Sequence, residues 1–161
     1  MPVIFNMLNS QHILLASHGT QGSWAAVHAS LALLQAHGKI HHFVAVPELW
    51  QGMTGDDWLN NGSTRDRFRR YLEGQIGREI DEHCQAVEQL CTNKNIEYER
   101  EIRVGKPEQC LIDCCKSGSF DLVIMGSPRP KGVSGLRSRM KLEPLAKTLA
   151  TPLLIIPFPQ A

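Results

Sequence analysis

The sequence predicts an α/β fold: one doubly wound domain on a five-stranded parallel sheet, strand order 3-2-1-4-5, with helices on both faces. Three observations carry this reading. Strand-like and helix-like segments alternate along the chain, the pattern that stacks helices on a parallel sheet. The segment "FDLVIMG" holds the unbroken apolar run "LVIM", as expected of a strand covered on both faces. The chain has 161 residues with no tandem repeat, low-complexity tract or linker, which suits a single domain over 1–161 with its core at about 11–157.

The elements follow in order. "HILLAS" (residues 12–17) is a short apolar strand ending at His18-Gly19-Thr20. Trp24, Val27, Leu31 and Leu34 then recur at steps of three and four, a helical face with Ser23 as a cap and Gly38 as a stop. "KIHHFVAV" is a second strand, ended by Pro47. Residues 47–63 show no sustained period and read as a surface loop. In it Trp50 and Trp58 either pack the loop onto the domain or cover a pocket or partner, and Asp56-Asp57 are turn residues.

A long helix follows to about Asn93, with Phe68, Leu72, Ile76, Ile80, Cys84, Val87 and Cys91 on one stripe. Gly74 and Gly77 weaken it by roughly 1 kcal/mol each relative to Ala. Arg65, Arg67, Arg69 and Arg70 form a charged face at its start, opposed to the helix dipole. "IEYEREIRV" alternates apolar and charged residues and predicts a half-exposed strand. "GKPEQCLIDCCKSG" predicts a helix with Pro107 in its first turn and Gly118 as its stop. After "FDLVIMG" comes a basic loop, a short helix around 142–150 and the closing strand "PLLIIP".

Composition narrows function. The chain is 42% apolar and 20% charged, with 17 Lys+Arg against 16 Asp+Glu, so it offers no global attraction for nucleic acid or an anionic membrane. No run approaches the ~20 apolar residues needed to span a bilayer, and the N-terminus lacks the pattern of a signal peptide; a cytoplasmic protein is expected. The five cysteines, Cys84, Cys91, Cys110, Cys114 and Cys115, include no CxxC pair and read as free thiols packed as small apolar residues, with no metal site expected.

In a 3-2-1-4-5 sheet the winding reverses between strands 1 and 4, and ligands bind outside the carboxyl ends of the strands flanking that point. Here those ends are Ser17-His18-Gly19 and Met125-Gly126-Ser127. The loop beyond carries Arg129, Lys131, Arg137, Arg139 and Lys141 with no acid until Glu143. It is either a solvated loop, a subunit contact, or an anion clamp in which guanidinium groups and free N–H groups after the strand hold oxygens. Neighbours on a strand point to opposite faces, so neither Ser17-His18 nor His41-His42 is expected to act as a pair, and no catalytic residue is assigned.

"ILLASHGTQGSWAAV", "VGKP", "FDLVIMGS" and "LAKTLATPLLIIP" together resemble the universal stress protein family over about residues 11–157. The resemblance implies an adenine nucleotide alpha hydrolase-like fold and divides the possibilities in two, since some members bind ATP and others do not. ATP-binding members carry Gly-x-x-Gly-x9-Gly-[Ser/Thr] after the fourth strand. Here Gly126 matches the first position, while Arg129, Arg139 and Met140 occupy the others. A frame shifted to Gly132 and Gly135 ends on Leu145 and Ala146. His18 stands where the family places an aspartate, and Val46 matches the family's valine at the end of the second strand.

The resemblance thus implies a non-catalytic stress-response protein without a resident cofactor, acting by association with an unidentified protein partner and forming a homodimer through its last strand. The alternative is a module binding ATP, another adenine nucleotide or another anion among Ser17, His18, Gly19, Val46, Met125, Gly126, Ser127, Arg129, Arg139 and Met140.

Overall fold

In the computed structural model, residues 10–17, 21–46, 62–127 and 140–159 are described. Nine elements alternate: β1 (His12–Ala16), α1 (Gln21–Leu33), β2 (Lys39–Val46), α2 (Gly62–Asn93), β3 (Glu97–Val104), α3 (Pro107–Ser117), β4 (Leu122–Gly126), α4 (Leu142–Thr148) and β5 (Leu153–Ile156). The five strands form one parallel sheet in the order β3-β2-β1-β4-β5.

The alternation of side chains along each strand divides the core. Ile13 and Leu15 of β1, Ile40 of β2, and Leu122 and Ile124 of β4 pack against Ala26, Val27 and Leu31 of α1 and Val87 and Cys91 of α2. Leu14, Ala16, Phe43, Val123 and Met125 point the other way, onto Leu111, Ile112 and Cys114 of α3 and Leu145 of α4. Both faces of β1 and β4 are therefore dry, which is why those segments read as continuous apolar runs. Each fully buried Leu or Ile stabilises the fold by about 1.5–3 kcal/mol relative to exposure.

Asp121 aligns the central strands. Its Oδ2 accepts hydrogen bonds from the amides of Gln11 (2.9 Å) and His12 (3.0 Å), and its own amide donates to the His12 carbonyl (2.9 Å). The carboxylate satisfies two donors at the open end of β1, where no strand residue could.

Three local expectations differ from the structure, and a fourth holds. Ser23 is not a cap: α1 already begins at Gln21, and Ser23 is buried within its first turn. Gly38 is not the stop of α1, which ends at Leu33; the left-handed residue in the turn is His37 (φ 62°). Gly38 is small because a Cβ there would lie 2.6 Å from Leu34 Cγ. Gly118 stops α3 as expected, capping it in extended geometry (φ −121°, ψ 175°) with its amide donating to the Cys114 carbonyl and the Phe120 ring closing the space a Cβ would need. The apolar residues of β3 do not all face inward: Ile102 and Val104 are 45% and 60% exposed. β3 is an edge strand paired only with β2, and α2 covers its beginning, where Ile96 and Tyr98 pack, rather than its end.

Pro107 occupies the first turn of α3 as expected. All five cysteines are free, with Cys84, Cys91 and Cys114 buried. The loop carrying Trp50, Trp58 and Asp56-Asp57 lies outside the described residues; α2 begins at Gly62, at the end of that segment. No helix among the described residues is long and apolar enough to cross a membrane.

Candidate functional site

The reversal of winding places the ends of β1 and β4 side by side, with Ala16 in register with Met125. The first turn of α1 rests on the end of β4. A Cβ on Gly126 would stand 2.4 Å from the Gly22 carbonyl oxygen and 3.0 Å from the Ser23 amide nitrogen. The glycine at the end of the fourth strand is thus required by helix–strand packing, independently of any ligand. A Cβ on Gly22 would in turn meet the Ser127 carbonyl oxygen at 3.1 Å and the Phe158 ring at 3.2 Å. Phe158, two residues beyond β5, therefore lies against the start of α1.

The first amide beyond β4 is not free for an anion, contrary to expectation: Ser127 N–H donates to the Ile156 carbonyl at 2.8 Å, carrying the β4–β5 ladder past the strand. Met125 and Met140 pack on the α3–α4 side of the core with Leu145 and its neighbours. Val46 packs against Val44, Ile80 and Cys84 on the α2 side, and its carbonyl accepts from the Gly105 amide (2.9 Å). His18, Gly19, Arg129 and Arg139 lie outside the described residues.

Ser17 is 2% exposed and engaged at every polar group. Its amide donates to the Phe43 carbonyl (3.3 Å), its carbonyl accepts from His42 Nε2 (3.0 Å), and its hydroxyl lies 2.6 Å from His83 Nε2. A carbonyl only accepts, so His42 carries its proton on Nε2. Its Nδ1 must then accept, and the Tyr98 hydroxyl, 2.7 Å away, donates to it.

Burial dominates the His42 pKa and pushes it down to about 4, opposed by the bond to Ser17. Burial likewise raises the Tyr98 hydroxyl well above its usual range, with Cys84 adding to the shift. The Trp24 ring stands edge-on to His83 with centroids 4.8 Å apart. The result is a polar network beneath the switch point, joining α1, α2 and the first three strands. Ser17 meets a histidine, as its position invited, but the partner is His83 from α2, and the buried hydroxyl offers no approach to a substrate carbonyl.

The opposite face of β2 holds a second group. His41 Nε2 lies 3.2 Å from Glu101 Oε1 and 3.8 Å from Cys114 Sγ, and the three donor atoms are all within 4.8 Å of one another. No metal was expected from the cysteine spacing. The structure nonetheless assembles one residue each from β2, β3 and α3 that could together hold one. No local spacing announces such a set. His83 was more legible, since it falls beside the buried stripe Ile80, Cys84, Val87 and Cys91 of α2.

Solved structures share this architecture. The hypothetical protein MJ0577 is 15% identical, with 96% of this chain and 99% of that chain covered and a TM-score of 0.75. The universal stress protein UspA from Lactobacillus plantarum is 15% identical over 92% and 98%, with a TM-score of 0.66. A universal stress protein family protein from Arabidopsis thaliana, At3g01520 with AMP bound, is 13% identical over 91% of each chain, with a TM-score of 0.63. At these identities the likeness speaks for the fold. No curated protein sequence matches the chain significantly. The family assignment comes from the sequence itself, which matches the universal stress protein family over residues 9–157. With the match running through every strand and helix described above, the chain belongs to the universal stress protein family.

Proposed function

We propose that this chain is a non-catalytic universal stress protein that works in the cytoplasm as a homodimer, by association with other proteins, and that its affinity for adenine nucleotides is weak or absent. The observation that carries this reading is the occupancy of the switch point by the chain's own groups. Gly22 abuts Gly126, Phe158 lies against Gly22, and the Ser127 amide serves the Ile156 carbonyl. Arg129, Arg139 and Met140 stand at positions where small residues would let a backbone cradle approach phosphates. The closing strand supports the dimer: β5 is an edge of the sheet, and its four consecutive apolar residues are all partly exposed, Ile155 most of all at 37%.

The second reading is a sensor for an adenine nucleotide or another anion at the same point, on Ser17, His18, Gly19, Val46, Met125, Gly126, Ser127, Arg129, Arg139 and Met140. AMP bound to the similarly folded Arabidopsis thaliana protein favours it. Titration calorimetry with Mg-ATP and AMP separates the two. The first reading expects no saturable heat with either. A dissociation constant in the low micromolar range, lost in an Arg129→Ala/Arg139→Ala double variant, would establish the second.

A further inference from the structure

We propose that His41, Glu101 and Cys114 form a binding site for a divalent transition metal, with Zn²⁺ as the ion the donors suit best. The site lies between β2, β3 and α3, on the face of the sheet away from Ser17 and His83.

Spacing is the first argument. Around tetrahedral zinc, with Zn–N and Zn–O near 2.0–2.2 Å and Zn–S near 2.3 Å, neighbouring donors stand about 3.3–3.6 Å apart. The separations here are 3.2 Å from His41 Nε2 to Glu101 Oε1 and 3.8 Å from His41 Nε2 to Cys114 Sγ. Small side-chain adjustments would therefore close the set around an ion.

The surroundings orient the donors as the outer shell of a metal site does. His41 Nδ1 faces Glu99 Oε2 at 3.4 Å, and Glu99 is itself held by Lys39 Nζ at 2.8 Å. A carboxylate on Nδ1–H fixes the ring and leaves the Nε2 lone pair for the ion. Arg103 Nε donates to Glu101 Oε2, while Oε1 is turned toward His41. With Nδ1–H donating to Glu99, a neutral His41 would set its Nε2 lone pair against the Glu101 oxygen. A cation, or a proton, placed there would bridge the two.

Chemistry selects the ion. One thiolate, one imidazole and one carboxylate are the mixed set that zinc accepts, and magnesium or calcium would favour oxygens alone. Thiolate and carboxylate together balance the charge of a divalent ion. Burial, then Glu101, pushes the Cys114 thiol up to about 12, so binding must expel its proton; a coordinating thiol is deprotonated outright. Glu101 is only partly buried, which leaves the fourth position open toward solvent at the rim.

Cobalt(II) provides the test, because thiolate ligation gives a near-ultraviolet charge-transfer band and tetrahedral geometry gives intense visible bands. Chelator-treated, reduced protein titrated with Co²⁺ should develop both, and equimolar Zn²⁺ should bleach them. Cys114→Ser should abolish the charge-transfer band, while Cys110→Ser and Cys115→Ser keep it. Should Cys114→Ser fail to fold by circular dichroism, the partly exposed carboxylates decide by competition with a chromophoric zinc chelator. Glu101→Gln should then lose most of the Zn²⁺ affinity, and Glu99→Gln about tenfold. No band in the wild-type protein would mean that a proton bridges His41 and Glu101 and would overturn the site. A band unchanged in Cys114→Ser, or wild-type affinity in Glu101→Gln, would overturn it equally.

Discussion

The hydroxyl of Ser17 and the imidazole Nε2 of His83 lie 2.6 Å apart, although 66 positions separate them in the chain. Ser17 directly follows the central strand and His83 lies in the second half of α2, so this one contact ties the longest described helix to the point where the sheet reverses its winding. Removing one partner from a buried hydrogen bond costs about 1–3 kcal/mol. Ser17→Ala and His83→Ala should each destabilise the protein by at least that much in urea denaturation. In a double-mutant cycle the pair should couple by about 1 kcal/mol or more. Strictly additive effects would show that the two side chains stabilise the fold independently.

His42 predicts a loss of stability in acid. A free imidazole takes up its proton near pH 6.5, whereas burial lowers the folded group to about 4. Between those values the unfolded chain binds more protons than the folded one, so stability rises with pH and falls as pH drops from 6.5 toward 4. The groups facing His42 are Tyr98 and Arg100 of β3 and His83 of α2; the nearby His83 and Arg100 charges, and that of His41 on the other face of the strand, push in the same direction as burial. His12, also lowered by burial, adds to the slope. The window is worth roughly 2–4 kcal/mol for His42. Urea midpoints measured from pH 7 to pH 4 should fall steeply in the wild type and less so in His42→Gln; equal slopes would remove His42 as the cause.

Two glycines should respond to alanine with opposite signs. At Gly126 the new Cβ would meet the backbone of Gly22 at 2.4 Å, so strand and helix must part; a loss of about 1–3 kcal/mol is expected from such overpacking. At Gly74, within α2, nothing lies within 4 Å of the added carbon. There alanine should stabilise by up to about 1 kcal/mol through helix propensity. Thermal melts of both variants check the pair. A tolerated Gly126→Ala would show that the crevice between α1 and β4 can open.

The dimer proposed through β5 is checked by light scattering after size exclusion at low micromolar protein. A particle of twice the 18.0 kDa chain mass is expected. Leu154→Pro removes an amide from a strand of only four residues and should shift the population to monomer. A wild-type monomer would refute the dimer, and a dimer that this change leaves intact would argue for assembly elsewhere, for example on the exposed Ile102 and Val104 of the opposite edge.

Legibility in the sequence followed the range of the interactions involved. The strands and helices announced themselves because their signals are local: the period of the apolar residues, a proline at the start of α3, unbroken apolar runs in β1 and β4. The turns were less legible. A glycine such as Gly38 looks like a stop whether it supplies a backbone angle or only room for Leu34, and the geometry chose room. β3 misled for a related reason, since alternation shows which residues share a face but not whether a helix extends far enough to cover it.

By itself the sequence determined the order of elements, the single parallel sheet with its reversal between β1 and β4, and membership of the family, because periodicity and motif spacing are written along the chain. Only the tertiary structure decided that Ser17 pairs with His83, that Gly126 is small to admit α1, and that His41, Glu101 and Cys114 converge on one face. Each of these is a contact between elements far apart in sequence. Their distances depend on how the helices seat on the sheet, and no spacing along the chain encodes that.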